Sequence, residues 1–510
     1  MSLFNQQGIL ESLLGGRYQE DNDTSSNFKD DLNTLTSFSL VAIGVDGHQF
    51  KMHRLVQFST RKWLELQDEM EGWREKYVIL IDNSYPVGRH ENWKVCQALF
   101  PHAQAAVAYR PSDGGALGAW ASVLFKAAWY ACEMGNYQAA KEIGRGALKA
   151  REVTLGAEHP DTLTSVSMLG LVLKSQGKYE EAEAMHRQAL EGSEKVLGLE
   201  HPYALTSVSN LGLVLQSQGK YEEAKAMHRR ALEGYKNVLR PEYPHTLTSV
   251  SNLGSVLQSQ GKYEEAEAMH RQALEGSEKV LGLEHPHTLA SVSNLGSVLE
   301  SHGKYEEAEA MHRRDLKGSE KVLGPEHPDT LTSVSMLGSV LSSQGKYEEA
   351  EAMHRQALEI REKVLGPEHP HTLTSVSNLG LVLSSQGKYE EAEAMHRRAL
   401  EIREKVLGPE HPDTLISIGN LALALDGQGI FVESERLGTE ALTMKKAVFG
   451  VDHPETLLSM YNLAWTWRSQ ARYNEATSLM ANCAELRRAK LGADHPFTLQ
   501  SLDVLKKWQT

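Results

Sequence analysis

The sequence predicts an all-α solenoid of stacked helical hairpins. Two observations predict it. The dipeptide His-Pro recurs at His159, His201, His285, His327, His369, His411, His453 and His495, with Tyr243-Pro244 in the remaining slot, so every interval is 42 residues. Within each interval, apolar residues recur at helical spacing in two stripes separated by a Gly-Lys break. The copies starting at His327 and His369 differ at only four of their 42 positions, Asp329/His371, Met336/Asn378, Ser339/Leu381 and Gln356/Arg398. One supersecondary unit has been copied in tandem.

The unit His369 to Glu410 shows how each element arises. A first helix, A, is expected to start at His371 or Thr372, just after the proline. Leu373, Val376, Leu379 and Leu383 give it one apolar face. Gln386-Gly387-Lys388 ends it, because glycine adopts the left-handed conformation without a Cβ penalty. A second helix, B, runs from Tyr389 with a stripe through Ala392, His396, Ala399, Ile402 and Val406. Its early Glu390, Glu391 and Glu393 and late Arg403 and Lys405 suit the helix dipole. Gly408-Pro409-Glu410-His411-Pro412 then closes helix B and opens the next unit. Thirteen of the sixteen prolines fall in such inter-repeat loops and none inside an expected helix of the array, which supports the helix assignment. A single hairpin buries little, so neighbours must stack into a solenoid with a concave face.

In chain order, residues 1–68 do not repeat. Asp21 to Asp31 is polar and reads as a loop. Thr36 to Ile43 and Gln49 to Met52 read as short strands about a Gly44-Val45-Asp46-Gly47 turn, followed by a helix from His53 to Leu66. That order predicts a small winged-helix-like α/β segment. Residues 69–116 form a helical linker through Asn92-Trp93, Cys96 and Leu99 to Ala103. Residues 117–494 hold nine hairpins, and 495–510 form a C-terminal capping helix, atypical as terminal repeats are.

Asn378-Leu379-Gly380, Leu383, Tyr389, Ala392 and Ala399 resemble the small and large positions of the tetratricopeptide repeat (TPR), which implies a right-handed superhelix. The longer string from Gly387-Lys388-Tyr389-Glu390-Glu391-Ala392 through Glu404-Lys405-Val406-Leu407-Gly408 to His-Pro is similar to the repeat of kinesin light chains. Eight residues beyond the usual unit lengthen helix B and its loop. Phe38-Ser39-Leu40, Met52-His53-Arg54-Leu55-Val56-Gln57, Arg61-Lys62-Trp63-Leu64, Trp93, Cys96 and Pro101-His102-Ala103 resemble the junction between nucleotide domain and repeats in fungal NB-ARC/TPR proteins of the STAND class. That resemblance implies a truncated winged helix in which His53 senses nucleotide when a nucleotide domain is present. No G-x-x-x-x-G-K-[ST] loop occurs, so the chain alone is expected to bind no nucleotide and no cofactor. A P-loop NTPase domain upstream or in trans remains a candidate partner.

Composition excludes other classes. With 53 Lys plus Arg against 67 Asp plus Glu, the net charge is −14, which opposes binding to nucleic acid or an anionic membrane surface. Three scattered cysteines, Cys96, Cys132 and Cys483, give neither a disulfide framework nor a zinc site and point to a reducing, cytoplasmic setting. His186, His228, His270, His312, His354 and His396 form a helix-B column. Metal ligands must converge to about 2.0–2.2 Å of one ion, whereas equivalent side chains of stacked helices lie about 10 Å apart. The column therefore reads as packing, with no metal, and the His-Pro histidines read as caps. No nucleophile elbow, HEXXH pair or phosphate loop occurs, so no catalytic residue is assigned.

Asn210, Asn252, Asn294, Asn378, Asn420 and Asn462 form a helix-A column interrupted by Met168 and Met336, at the position that lines the concave groove of TPR proteins. Amides can pair with a peptide backbone as donor and acceptor together. A solvated face left by recent copying is the competing reading. Leu171, Leu213, Ser255, Ser297, Ser339, Leu381, Leu423 and Trp465 lie beside the column. Their neutral mix suits an extended peptide or helix. Trp465, Trp467 and Arg468 read either as a terminal anchor or, more simply, as cap packing. The expectation is a non-catalytic protein- or peptide-binding scaffold resembling the sensor region of a fungal STAND/NOD-like receptor without its nucleotide domain. The alternatives are a kinesin-light-chain-like cargo adaptor, which would carry heptads that residues 1–110 lack, and part of an ADP/ATP-regulated switch.

Overall fold

The structure, a computed structural model, describes residues 33–38, 40–43, 50–112, 114–239 and 243–509. It forms two compact units divided between Val172 and Leu173.

In the first unit, strands Val41–Ile43 and Phe50–Met52 pair antiparallel with Val41 opposite Met52. The strand expected over Thr36 to Ile43 is shorter: residues 33–37 are helical, and extended backbone begins only at Val41. Thr34, Thr36 and Ser37 supply the short polar side chains that favour such local turns, and the Ser37 hydroxyl donates to Thr34 O at 2.8 Å. The expected turn at 44–47 and the loop at 21–31 lie outside the described residues. Helix Arg54–Leu66 follows, with His53 at its N-cap. Helices Met70–Ser84, Trp93–Val107, Gly114–Glu133 and Tyr137–Leu155 come next. Tyr77, Ile81, Cys96, Leu99 and Leu124 form their shared core. Tyr77 donates its hydroxyl to His102 O at 2.7 Å, and Trp120 its indole N–H to Ala106 O at 2.7 Å, so both polar tips are satisfied inside.

In the second unit the repeats alternate helix A, as at Pro370–Ser385, and helix B, as at Tyr389–Val406. Helix A starts at the proline itself, one or two residues before the expected position. Proline suits the first helical position because that N–H has no intrahelical acceptor. His369 caps it, its Nδ1 accepting the His371 N–H at 3.1 Å, and the same bond recurs at His201, His285, His327, His411, His453 and His495. Gly387, at φ +78°, lets the Lys388 N–H return to Leu383 O at 2.9 Å and close the helix.

Helix A buries Leu373, Val376, Leu379 and Leu383, each contributing about 2 kcal/mol. The buried stripe of helix B is Ala392, His396, Ala399 and Arg403, whereas Val406 is exposed. Arg403 is therefore no surface dipole charge. Its guanidinium donates to Ser377 Oγ at 3.1 Å, Ser417 Oγ at 2.7 Å and Asp413 O at 3.1 Å, tying helix B to the A helices on either side. Arg361 does the same one repeat earlier. The lysines of four Gly-Lys-Tyr turns, Lys220, Lys304, Lys346 and Lys388, also bridge repeats. Lys346 Nζ lies 2.9 Å from Glu309 Oε2, with Arg313 on the other oxygen, and chiefly the Lys346 bond holds that carboxyl at about 2 against the opposing effect of burial.

This unit also winds back on itself. His411, His453 and His495 use Nε2 to donate to Ser175 O, Ser217 O and Ser259 O, each 236 residues earlier, at 3.0, 3.2 and 3.5 Å. The neighbouring prolines lie on the glycine turns below: a Cβ at Gly219 would fall 2.8 Å from Pro454 Cδ, and one at Gly261 2.6 Å from Pro496 Cδ. Each His-Pro corner thus sits on the hairpin turn of the repeat six units before it. At Gly303, Gly345 and Gly387 the same space is open.

Candidate functional site

The A helices of successive repeats pack on one another from Pro202–Ser217 through Pro454–Ser469, forming the inner wall of the second unit. The asparagine column lies along this wall. Asn210, Asn252, Asn378, Asn420 and Asn462 are half-buried and Asn294 is exposed. Asn294 Nδ2 donates to Ser251 Oγ of the preceding A helix at 3.0 Å, so this column faces backward along the array.

One helical turn on, Leu381, Leu423 and Trp465 are exposed, whereas Ser255, Ser297 and Ser339 donate their hydroxyls to carbonyls of their own helices at 3.1–3.2 Å. This column is hydroxyl-lined in the middle and apolar toward its C-terminal end. Trp465 lies edge-on to Trp508 of the last helix, ring centroids 5.0 Å apart. Arg468 lies over the rings of Trp508 and Tyr473, and Trp467 donates its indole N–H to Glu435 Oε1 at 3.0 Å. Trp465 packs on the cap yet keeps 40% of its surface open, whereas Trp467 reaches back to the preceding repeat.

The histidine column is interior. His228, His270, His312, His354 and His396 are at most 1% exposed, and each ring lies on a helix-A glycine: Gly212, Gly254, Gly296, Gly338 and Gly380. A Cβ at Gly296 would come within 2.6 Å of His312 Cε1, so the flat imidazole occupies the space the glycine leaves. Among the described residues, neither ring nitrogen of His228, His312 or His396 has a hydrogen-bond partner. Burial lowers their pKa values from 6.5 to about 4, which keeps them neutral.

Where the column ends, its complement changes with it. Gly438 stands in the histidine position and Ala422 in the glycine position, and a small cavity of ≈ 20 Å³ remains between Ala422, Gly438, Asn462 and Thr466. A Cβ at Gly438 meets only Leu463 Cδ1, at 3.3 Å. Gly438→Ala should therefore raise stability by about 1 kcal/mol, from helix propensity and cavity filling together. A lowered thermal midpoint in circular dichroism would count against this packing.

Three kinds of polar residue escaped the sequence reading. Arg361, Arg403 and Arg487 are buried, Asp315 is 3% exposed, and Asp426 lies half-buried on the inner wall. Asp315 occupies a column that is otherwise Ala147, Ala189, Ala231, Ala273, Ala357, Ala399, Ala441 and Cys483, a departure the sequence displayed. In the first unit, His53 is exposed, and its Nδ1 accepts the Leu55 N–H at 3.3 Å, so it is an N-cap. Among the described residues, no helix is long and apolar enough to cross a membrane.

These features define a class: an all-α repeat scaffold of stacked helical hairpins whose A helices present a continuous inner face. The tetratricopeptide repeat model matches residues 119–195, 167–237, 245–321, 316–363, 329–405 and 371–447, and a second model of the same description matches 456–497. The chain belongs to the tetratricopeptide repeat family. It is similar to a nucleotide-binding leucine-rich repeat (NLR)-like protein of Hyaloscypha variabilis, at 36% identity over 167 residues, 33% of this chain. That stretch spans only 16% of the relative's length. Among solved structures, it is similar to the kinesin light chain nearly identical TPR-like repeats of Podosopora anserina, at 29% identity, 40% of this chain, 96% of that chain and TM-score 0.35. It is also similar to BtubC (BKLC) of P. vanneervenii, at 23% identity, 45% of this chain, 92% of that chain and TM-score 0.38.

Proposed function

We propose that the chain is a non-catalytic scaffold that binds an extended peptide or helix of a partner protein along the inner face of its A helices. The observation that carries this reading is the column of amides from Asn210 to Asn462, half-buried but for the exposed Asn294, beside the exposed Leu381, Leu423 and Trp465. Amides at repeat spacing can pair with main-chain groups irrespective of side-chain identity, while the exposed apolar residues supply affinity.

The relative's name and the junction strings around His53 favour a finer reading: the sensor region of a fungal STAND/NOD-like receptor. In it, residues 1–68 form the winged-helix-like segment, 69–116 the linker, 117–494 the nine hairpins and 495–510 the cap. A nucleotide-driven step needs a P-loop, which these 510 residues do not contain. In this reading, His53 acquires a sensing role only beside a nucleotide domain.

Selection of displayed random peptides of about 12 residues on the immobilised chain tests the reading. The comparison variant is Asn378→Met/Asn420→Met, since methionine already occupies this column at Met336. A selected, labelled peptide is expected to bind the variant about tenfold more weakly, from two lost amide pairings, with an unchanged melting curve. Equal affinity for both proteins, or no enrichment over an unrelated helical protein, would refute the groove assignment.

A further inference from the structure

The B helices carry a charge ladder with one break in it. In four repeats a glutamate, Glu183, Glu267, Glu309 or Glu351, pairs with the arginine four residues on at 2.6–2.8 Å and with the lysine of the next Gly-Lys-Tyr turn at 2.9–3.0 Å. A glutamine of that turn can add a neutral donor, as Gln428 Nε2 does to Glu393 Oε2 at 2.6 Å. Each carboxylate is thus gripped by two cations from two repeats.

Between Glu183 and Glu267 this column holds Lys225, in helix Tyr221–Val238. Lys141, in the first unit, is the other lysine of the column. Around Lys225 the partners keep their places: Arg229 stands four residues on, and Lys262 is the turn lysine, at the N-cap of helix Tyr263–Leu281. Three cations therefore meet where the flanking repeats set a carboxylate between two. Gln260, without a ladder glutamate, turns its Nε2 to Glu222 Oε1 at 2.7 Å. Glu265 stands where Glu307 meets Arg271 at 3.3 Å, yet among the described residues neither Arg229, Lys225 nor Lys262 forms an ion pair.

Lys225 is only 8% exposed, so its stem is packed, while Arg229 and Lys262 are exposed and leave the cluster open to solvent. Burial first, then the Lys262 ammonium and the Arg229 guanidinium, push the Lys225 pKa down, with Glu222 opposing them. Like charges held together cost the free protein, and an anion placed among them removes that cost. In the flanking repeats a single carboxylate suffices for two cations. Three cations, one of them a planar guanidinium, suit the higher charge and several acceptor oxygens of a phosphate.

We infer that Lys225, Arg229 and Lys262 form a binding site for a phosphate group on the B-helix face. Arg229 and Lys262 donate to its oxygens as their counterparts donate to Glu183 and Glu267, and Lys225 supplies the third charge from below. This site is independent of the groove on the A helices. The chain as a whole, at net charge −14, repels phosphate, so binding has to be local.

The test follows the 31P line width of inorganic phosphate and of phosphoserine as each is titrated with the full chain in neutral, low-salt buffer. Both lines are expected to broaden. Lys225→Glu restores the ladder seen at Glu183 and Glu267 and should weaken binding of each probe about tenfold. Arg229→Gln should do the same, whereas Arg271→Gln, an identical change of charge beside Glu267, should leave binding unaltered. Tighter binding of phosphoserine than of phosphate would identify a phosphorylated protein side chain as the source of the group, and equal binding would identify the free ion. No broadening, equal affinity in the parent and Lys225→Glu, or equal losses in Arg229→Gln and Arg271→Gln would each overturn the site. The two arginine variants decide the matter even if Lys225→Glu melts early.

Discussion

Lowering the pH from 7 to about 5 should destabilise the repeat array before its ion-paired carboxylates respond. The buried histidines His186, His228, His270, His312, His354 and His396 all have their pKa lowered from 6.5 to about 4, with desolvation the leading cause. Because the folded value lies below the unfolded one, the unfolded chain takes up the proton first. Stability is therefore full above about pH 6.5 and is lost as the pH falls toward about 4. Each histidine carries on the order of 3 kcal/mol, so six exceed the usual margin of a domain, about 5–15 kcal/mol. The ladder carboxylates act in a separate window: Glu309 and Glu351, held at about 2 against an unfolded 4.5, lose their contribution only as the pH falls below about 4.5. The check is the urea midpoint by circular dichroism at a series of pH values, for the chain and for His228→Met/His312→Met/His396→Met. Methionine already stands at this position as Met480, opposite Ala464. The variant should be more stable at pH 5 and show a flatter profile between pH 7 and 5. An unchanged slope would show that the column does not set acid stability.

Replacing Asp315 with alanine should stabilise the protein by about 2 kcal/mol at neutral pH. Asp315 is buried in the alanine column of helix B, with the Ser319 hydroxyl at 3.2 Å and no cationic partner among the described residues. Burial raises its carboxyl above the usual 3.8, and hydrogen bonds from Ser333, Ser293 and Ser319 only partly offset this. A raised folded value gives stability that is full below the unfolded 3.8 and declines as the pH rises through the folded value. At neutral pH the ionised carboxylate is thus a net cost, and the gain from alanine should shrink toward pH 4. Denaturant midpoints at pH 4 and pH 7 decide it. Destabilisation at pH 7, or an equal gain at both values, would mean that the hydroxyl cage compensates the charge fully.

Much of the fold was legible because it is local and repeated. The proline at the first helical position, the histidine cap and the positive-φ glycine each act within four residues, and the 42-residue period showed them many times over. The histidine column was readable as packing because it falls on a large core position of the repeat. Helix-B polarity was less legible. Arg403 looked like a terminal charge favouring the dipole, yet it is buried among Ser377, Ser417 and Asp413 O, because a long helix B passes between two A helices before it ends. The N-terminal strand was over-extended because β-propensity in Thr36 to Ile43 is outweighed by local hydrogen bonds such as Ser37 to Thr34 O.

For the candidate face, the sequence supplied the asparagine column and Trp465. It did not distinguish Asp426 from an ordinary solvated carboxylate, since its burial depends on Ser469 and Thr466 of the next repeat.

By itself, the sequence determined the repeat, the two helices of each unit, their caps and the face helix A buries, since these follow from periodicities of a few residues. Tertiary structure alone decided that His411, His453 and His495 meet carbonyls 236 residues away, that Arg403 goes inside, and that Asp426 keeps an oxygen without a donor. The physical reason is accumulation. A small rotation per repeat, set by side-chain packing between neighbours, sums over six units before one turn touches the next, and no local pattern encodes that sum.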